Sequence, residues 1–220
     1  MLSLQRSAYI PPMTKQGVLI SFEGVDGSGK STQARMLYDY LKERNYDVLF
    51  IREPGGTAVS EAIRAILLDN AHKKMSARAE MLLFLAAGAE LVDEVIVPAL
   101  KQGRIVITDR FSDSTLAYQV DGRKLPRRVV TATNEFAAAK IKPGLTFIVD
   151  LGIARAHSRL KEKKDRMESS AQEFHMRVRR GFLKIAQAEP RRVKVVDGKK
   201  TPDAIFQEIL AMSQAFLTRR

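Results

Sequence analysis

The chain has 220 residues, a formal charge of +12 and no cysteine, which excludes disulfides, thiolate metal sites and cysteine nucleophiles. Its three histidines are too few for a histidine-rich metal centre, and no apolar run approaches the roughly 18–20 residues of a membrane span, so the chain reads as soluble. The basic excess raises nucleic acid as a partner. It is concentrated between residues 151 and 200, with fifteen Lys and Arg against six Asp and Glu, and no aromatic-laced basic stripe or zinc finger accompanies it. A highly charged anion such as ATP suits that region better.

Residues 1–16 carry Arg6, Lys15 and a Pro11-Pro12 break with thin apolar content, which predicts a disordered extension rather than a signal peptide. Met13 is then a second possible start. Val18 to Phe22 is a short apolar run that reads as a buried strand. After a glycine-rich stretch, Ala34, Leu37, Tyr38 and Leu41 recur at helical spacing. Asp47 to Ile51 predicts a second strand, followed by the turn-rich Arg52-Glu53-Pro54-Gly55-Gly56-Thr57 and a helix from Val59 to Leu68. Ser76 caps a long helix through about Leu100, stopped by Gly103, and Arg104 to Thr108 predicts a third strand. Helical segments follow near 112–120 and 126–140. Leu145 to Val149 and Val193 to Val196 read as the last two strands, and Thr201-Pro202-Asp203 opens the closing helix. Apolar strands separated by helices predict an α/β fold, a parallel five-stranded sheet with helices on both faces. The expected organisation is one domain over 17–220.

Gly24 to Ser31 fits the phosphate-loop pattern of glycine, four residues, glycine, lysine and serine. Glycines let the backbone curl so that successive N–H groups point inward, and the following helix N-terminus adds its dipole. Lys30 would reach the β- and γ-phosphates and Ser31 would sit on Mg²⁺. Ligands in such sheets bind at the carboxyl ends of the strands, where Arg52 to Thr57, Asp109-Arg110 and Asp150 also fall. Both Asp109 and Asp150 end apolar strands, so spacing leaves the Mg²⁺-supporting carboxylate open between them. Arg110 suits bidentate capture of a second phosphate. Arg159, Lys161, Lys163, Lys164 and Arg166 form a basic segment that predicts a small closing lid at about 157–169.

Together these motifs resemble one family, bacterial thymidylate kinase, a branch of the phosphate-loop (P-loop) NTPase fold. The matching pieces are Phe22 to Thr32, Arg52 to Thr57, Asp109 to Gln119 and Asp165-Arg166-Met167-Glu168. The resemblance implies a cytoplasmic homodimer that transfers the γ-phosphoryl of ATP to dTMP with Mg²⁺. It implies ATP contacts from Gly24, Val25, Asp26, Gly27, Ser28, Gly29, Lys30, Ser31 and Thr32, with Arg159, Lys161 and Arg166 from the lid. Lys30, Arg110, Arg159 and Asp26 would be catalytic, and Ser31 and Asp109 would serve Mg²⁺. On the acceptor side, Arg64 and Arg110 would hold the dTMP phosphate, Phe84 would stack on the thymine, and Glu53 and Pro54 would line its pocket. Ser114 and Thr115 would lie at the base edge, with Tyr118 near the deoxyribose and Gln119 beside them. In one place the chain departs from the family pattern. Gly88 stands where an arginine usually reaches the thymine carbonyl, and Glu90 stands where Gln is usual. That departure motivates an alternative, a nucleoside monophosphate kinase of altered or broadened base choice.

Overall fold

The computed structural model describes residues 17–160 and 165–219. The expectations for residues 1–16 and for Lys161, Lys163 and Lys164 fall outside them. Five parallel strands make one sheet: β1 (Val18–Glu23), β2 (Val48–Arg52), β3 (Ile105–Asp109), β4 (Leu145–Asp150) and β5 (Val193–Asp197), in the order β2-β3-β1-β4-β5. The helices are α1 (Lys30–Glu43), α2 (Ala58–Leu68), α3 (Ala77–Leu91), α4 (Val97–Lys101), α5 (Ser112–Thr115), α6 (Arg127–Ala137), α7 (Ile153–His157), α8 (Gln172–Ala188) and α9 (Pro202–Leu217).

Side chains of a strand alternate between its faces, and here the alternation assigns each strand to two cores. Val18, Ile20 and Phe22 pack with Leu37, Leu41, Ile205 and Ile209 of α1 and α9. Leu19 and Val106 point the other way, against Leu91, Ile96 and Ala99 of the α3–α4 segment. Ile148 likewise joins Val178, Phe182 and Ile185 of α8, on the face opposite Phe147 and Val149. Helices on both faces explain why the strands read as nearly unbroken apolar runs.

The register brings the carboxyl ends together: Arg52 and Phe22 each lie opposite Asp109, and Asp150 lies opposite Asp197. β1 is the central strand, so the glycine loop that follows it opens at the middle of this rim.

Two helices differ from the expected regular ones. The span predicted from Ser76 to Leu100 is α3 and α4 joined by a π-helical turn, Val92–Ile96, just before Pro98, which has no N–H to give to the ladder. The segment expected at 112–120 is α5 running into a second π turn, Leu116–Gly122, where Arg123 N–H donates to Tyr118 O at 2.8 Å. This wider turn carries Tyr118 and Gln119, both buried. α6 ends earlier than position 140 because Ala139 and Lys140 both take positive φ.

Candidate active site

Gly24, Gly27 and Gly29 have φ of 139°, 79° and 101°, so the loop takes the backbone path that its spacing predicts. Gly27 is also fixed by space: a Cβ there would lie 2.1 Å from the Ala156 carbonyl oxygen. Gly29 caps α1, which begins at Lys30. The loop's Asp26 is the hub. Lys30 Nζ donates to Asp26 Oδ1 at 3.2 Å, and Arg110 Nη2 donates to the same oxygen at 2.6 Å. Burial alone would push Asp26 up, but the Arg110 guanidinium and then the Lys30 ammonium outweigh it and hold the carboxyl well below the usual range.

Arg110 follows β3 with φ of 75°, an uncommon conformation for a residue with a side chain. The turn is tied on both sides: Arg110 N–H donates to Phe22 O at 2.9 Å, and Thr108 Oγ1 donates to Arg110 O at 2.6 Å. The guanidinium also donates to Ser114 Oγ and Tyr118 OH, each at 3.1 Å. Burial disfavours its charge, yet Tyr118, Asp26, Asp109 and Glu23 together raise its pKa further, so it stays protonated. Glu23, which spacing did not single out, supports this corner from beneath. It accepts from Ser21 Oγ at 2.7 Å, Phe111 N–H at 2.8 Å and Ser114 Oγ at 2.5 Å. Burial, with the charge of Asp113 next, pushes it up to about 7.

The two carboxylates left open by spacing differ in their partners. Asp150 accepts Arg179 in bidentate fashion at 2.6 and 2.8 Å, so its charge is already answered. Asp109 Oδ2 instead accepts from the Ser31 hydroxyl, while its Oδ1 is buried without a partner. A hydroxyl beside an unsatisfied carboxylate oxygen is a hard-oxygen pair that fits Mg²⁺, which takes one or two protein oxygens and completes its shell with phosphate and water.

Nine of the expected acceptor-side residues line one cavity: Glu53, Pro54, Arg64, Phe84, Arg110, Ser114, Thr115, Tyr118 and Gln119. Asp26 reaches it too, so the cavity abuts the glycine loop. Leu68, Phe111, Asp165 and Met167 complete its wall. Phe111, Asp165 and Met167 lie in stretches that match the family but had no role assigned to them, and Leu68 gave no signal, because packing of α2 and of residues 165–167 against the cavity is not a local property. Thr57 caps α2 by accepting from Ser60 N–H at 3.1 Å, and the Ser60 hydroxyl accepts from Gly55 N–H at 2.8 Å. The Arg52–Thr57 loop is thereby fixed, and Arg64 Nη1 donates to Pro54 O at 2.9 Å.

Arg159 and Arg166, expected together over ATP, part company. Arg159 lies over the loop, its guanidinium 3.5 Å from the Ser28 and Gly198 carbonyl oxygens, contacts too long to fix it. Arg166 is buried away from the loop. It donates to Glu80 Oε2 and Leu67 O, each at 2.6 Å, and Glu80 also takes Arg123 at 2.8 Å from both nitrogens. With its guanidinium spent on Glu80 and Leu67 O, Arg166 ties the segment from residue 165 to the core and does not face the glycine loop in this structure.

A glycine loop after the central strand of a 2-3-1-4-5 parallel sheet, with the Ser31–Asp109 pair at its mouth, defines a P-loop nucleotide-binding α/β protein. The neighbouring arginine-lined cavity narrows this to the nucleotide kinases of that class. The family model described as thymidylate kinase matches residues 22–209. A thymidylate kinase of Symbiobacterium thermophilum is 48% identical over 205 residues, covering 92% of this chain and 95% of that protein. One of Pelobacter propionicus is 45% identical over 203 residues, covering 89% and 93%. The crystal structure of thymidylate kinase from Ehrlichia chaffeensis superposes with a TM-score of 0.75 at 34% identity, covering 90% of this chain and 99% of that one. The chain belongs to the thymidylate kinase family.

Proposed function

We propose that the protein transfers the γ-phosphoryl group of ATP to dTMP, giving ADP and dTDP. One observation carries the reading beyond family membership. Asp26 joins Lys30 of the glycine loop to Arg110 of the acceptor cavity, so donors suited to two different phosphates stand against one another. Nucleotides entering from the two sides would meet there end to end.

The acceptor nucleophile is an oxygen of an already ionised phosphate, so the step needs no protein base. It forms a bond from that oxygen to the γ-phosphorus and breaks the bond to the β–γ bridging oxygen. What the chain must supply is alignment and positive charge. The loop amides and Lys30 hold the ATP phosphates, Arg110 and Arg64 hold the acceptor phosphate, and Asp26 keeps Lys30 and Arg110 in register. Arg159, loosely held over the loop, is free to move onto the transferring group when the lid closes. Ser31 and Asp109 would hold Mg²⁺, which when bound neutralises charge on the ATP phosphates. Phe84 supplies a flat wall for the base.

The catalytic unit on this reading is a single domain from residue 17 onward, acting in the cytoplasm. No helix among the described residues is long and apolar enough to cross a membrane. Val59 and Ile66 on α2, Leu82 on α3, and Val129 and Phe136 on α6 are exposed apolar side chains, Phe136 at 87%. The pairs on α2 and on α6 are each seven residues apart, hence on one face, and support a homodimer through these helices.

A coupled assay of ADP release with dTMP, dUMP, dGMP and dCMP as acceptors tests the proposal. The expected result is Mg²⁺-dependent turnover fastest on dTMP; equal rates on all four would overturn the thymidylate reading. The space at Gly88 favours a second reading, relaxed base choice, which the same assay resolves.

A further inference from the structure

Glu53 carries a buried carboxyl oxygen that no group among the described residues answers. Its Oε2 is out of contact with solvent and has no hydrogen-bond partner, and no ion pair to Glu53 exists among the described residues. Buried polar groups of this kind are rare, because leaving one unmade costs its full desolvation. The side chain forms part of the wall of the acceptor cavity on one side. On the other it faces a small hollow lined by Leu85, Gly88, Val92, Phe111, Ser112 and Asn134, where the Asn134 amide donates to Ser112 O at 3.0 Å and no donor reaches Glu53 Oε2.

Gly88 permits this arrangement. A Cβ at position 88 would lie 2.5 Å from Glu53 Oε1, so any other residue would push the carboxyl aside. Phe84 and Gly88 are one helical turn apart on α3, which places the carboxyl beside the aromatic wall. We propose that the carboxyl group of Glu53, in the space Gly88 leaves, is the hydrogen-bonding group that reads the ring edge of the acceptor base. This makes Glu53 a specificity-determining residue of the reaction inferred above, and the proposal rests on that reading.

The chemistry of the wall indicates which edge it takes. Burial, with the negative charge of Glu23 next, pushes Glu53 up to about 8, so near neutral pH it holds its proton and donates. Gln119 lines the same cavity, and its side-chain oxygen Oε1 is buried and unpartnered while its Nε2 donates to Glu80 Oε1 at 3.2 Å. A carboxyl donor and an amide acceptor complement a ring edge that offers a carbonyl oxygen and an N–H, as thymine does. Cytosine presents an amino group and a bare ring nitrogen at those positions, the reverse pattern. A site built on hydrogen bonds rejects the mismatched edge because its own groups are left unpaired.

The test is steady-state kinetics at pH 7 with dTMP and dCMP on the unsubstituted chain, Glu53→Met and Glu53→Gln. Methionine fills the same length without a polar group, so it removes the contact and leaves no orphan behind. The expected result is that E53M lowers the dTMP-to-dCMP ratio of kcat/KM by about tenfold or more, chiefly through the KM for dTMP. E53Q keeps an N–H donor and should retain most of the preference. An unchanged ratio in E53M, or equal loss in E53Q and E53M, overturns the proposal. No dTMP turnover by the unsubstituted chain overturns the acceptor reading and this proposal together; dTMP turnover with an unchanged ratio in E53M overturns this proposal alone. If E53M does not fold, the E53Q ratio decides, its collapse to near unity counting against Glu53 as a donor and its retention for it.

Discussion

Charge at this site is arranged residue by residue. Lys30 is 7% exposed and its ammonium donates to Asp26, so it is oriented toward the loop before any nucleotide arrives. Lys30→Ala is expected to lower kcat by about 10²-fold or more, the range seen when a preorganised donor to transition-state charge is lost, with circular dichroism unchanged. Near-normal turnover in a folded variant would contradict the assignment. Glu53 makes a different prediction, about stability. Its folded pKa of about 8 lies above the ordinary 4.5, so between these values the native state holds a proton that the unfolded chain has released. The stabilisation is full below about pH 4.5 and is lost as pH rises through about 8, at no more than about 1.4 kcal/mol per pH unit. Melting temperatures measured from pH 5 to 8.5 should therefore fall, and fall less steeply in Glu53→Gln, which has no proton to lose. Parallel slopes in the two proteins would show that Glu53 ionises normally. Glu23, pushed up to about 7, adds a slope of the same sign to both.

At the scale of elements, the segment that follows residue 164 is tied to the core through one buried carboxylate. Glu80, 1% exposed on α3, takes Arg166 from the lid's stem and Arg123 from the end of the π turn that carries Tyr118 and Gln119. The two guanidinium groups keep its carboxyl below the ordinary range although burial alone would raise it. Glu80→Ala would leave the buried Arg166 cation and the partly buried Arg123 cation facing one another, and a loss of about 3 kcal/mol is expected in urea unfolding. Hydrogen exchange should quicken over 165–171 and 116–123 together, because one carboxylate holds both. Exchange confined to either segment would show that they are not coupled through Glu80. The Arg159 guanidinium over the glycine loop, in contrast, is held by long contacts of 3.5 Å.

Over the whole molecule, the parallel sheet gathers four loops onto one rim because β1 sits at its centre, with β3 and β4 on its flanks. That leaves the outer faces of α2, α3 and α6 away from the rim, and their apolar side chains without cover in a single chain. Light scattering after gel filtration is expected to show a dimer, with Phe136→Asp shifting it toward monomer while the far-UV spectrum holds. A monomeric unsubstituted chain would remove the dimer from the proposed function.

The strands, the glycine loop and the residues of the rim were legible in the sequence because each follows from local chemistry: apolar runs make buried strands, and a short glycine spacing permits one backbone path. The residues of the Arg52–Thr57 and Asp109–Gln119 stretches that line the cavity stood out for a second reason, since their motifs match a family. The sequence left Asp109 and Asp150 equivalent, grouped Arg166 with Arg159, and gave no sign of Glu23 as a buried support or of Glu53 as an unanswered acid. Those outcomes depend on which side chains meet across the sheet and the lid. Arg179 reaches Asp150, Glu80 captures Arg166, and the absence of a Cβ at Gly88 leaves Glu53 its room. Pairing between groups distant in the chain is fixed only when the tertiary structure closes, and with it the environments that shift Glu23, Asp26 and Glu53 from their ordinary values.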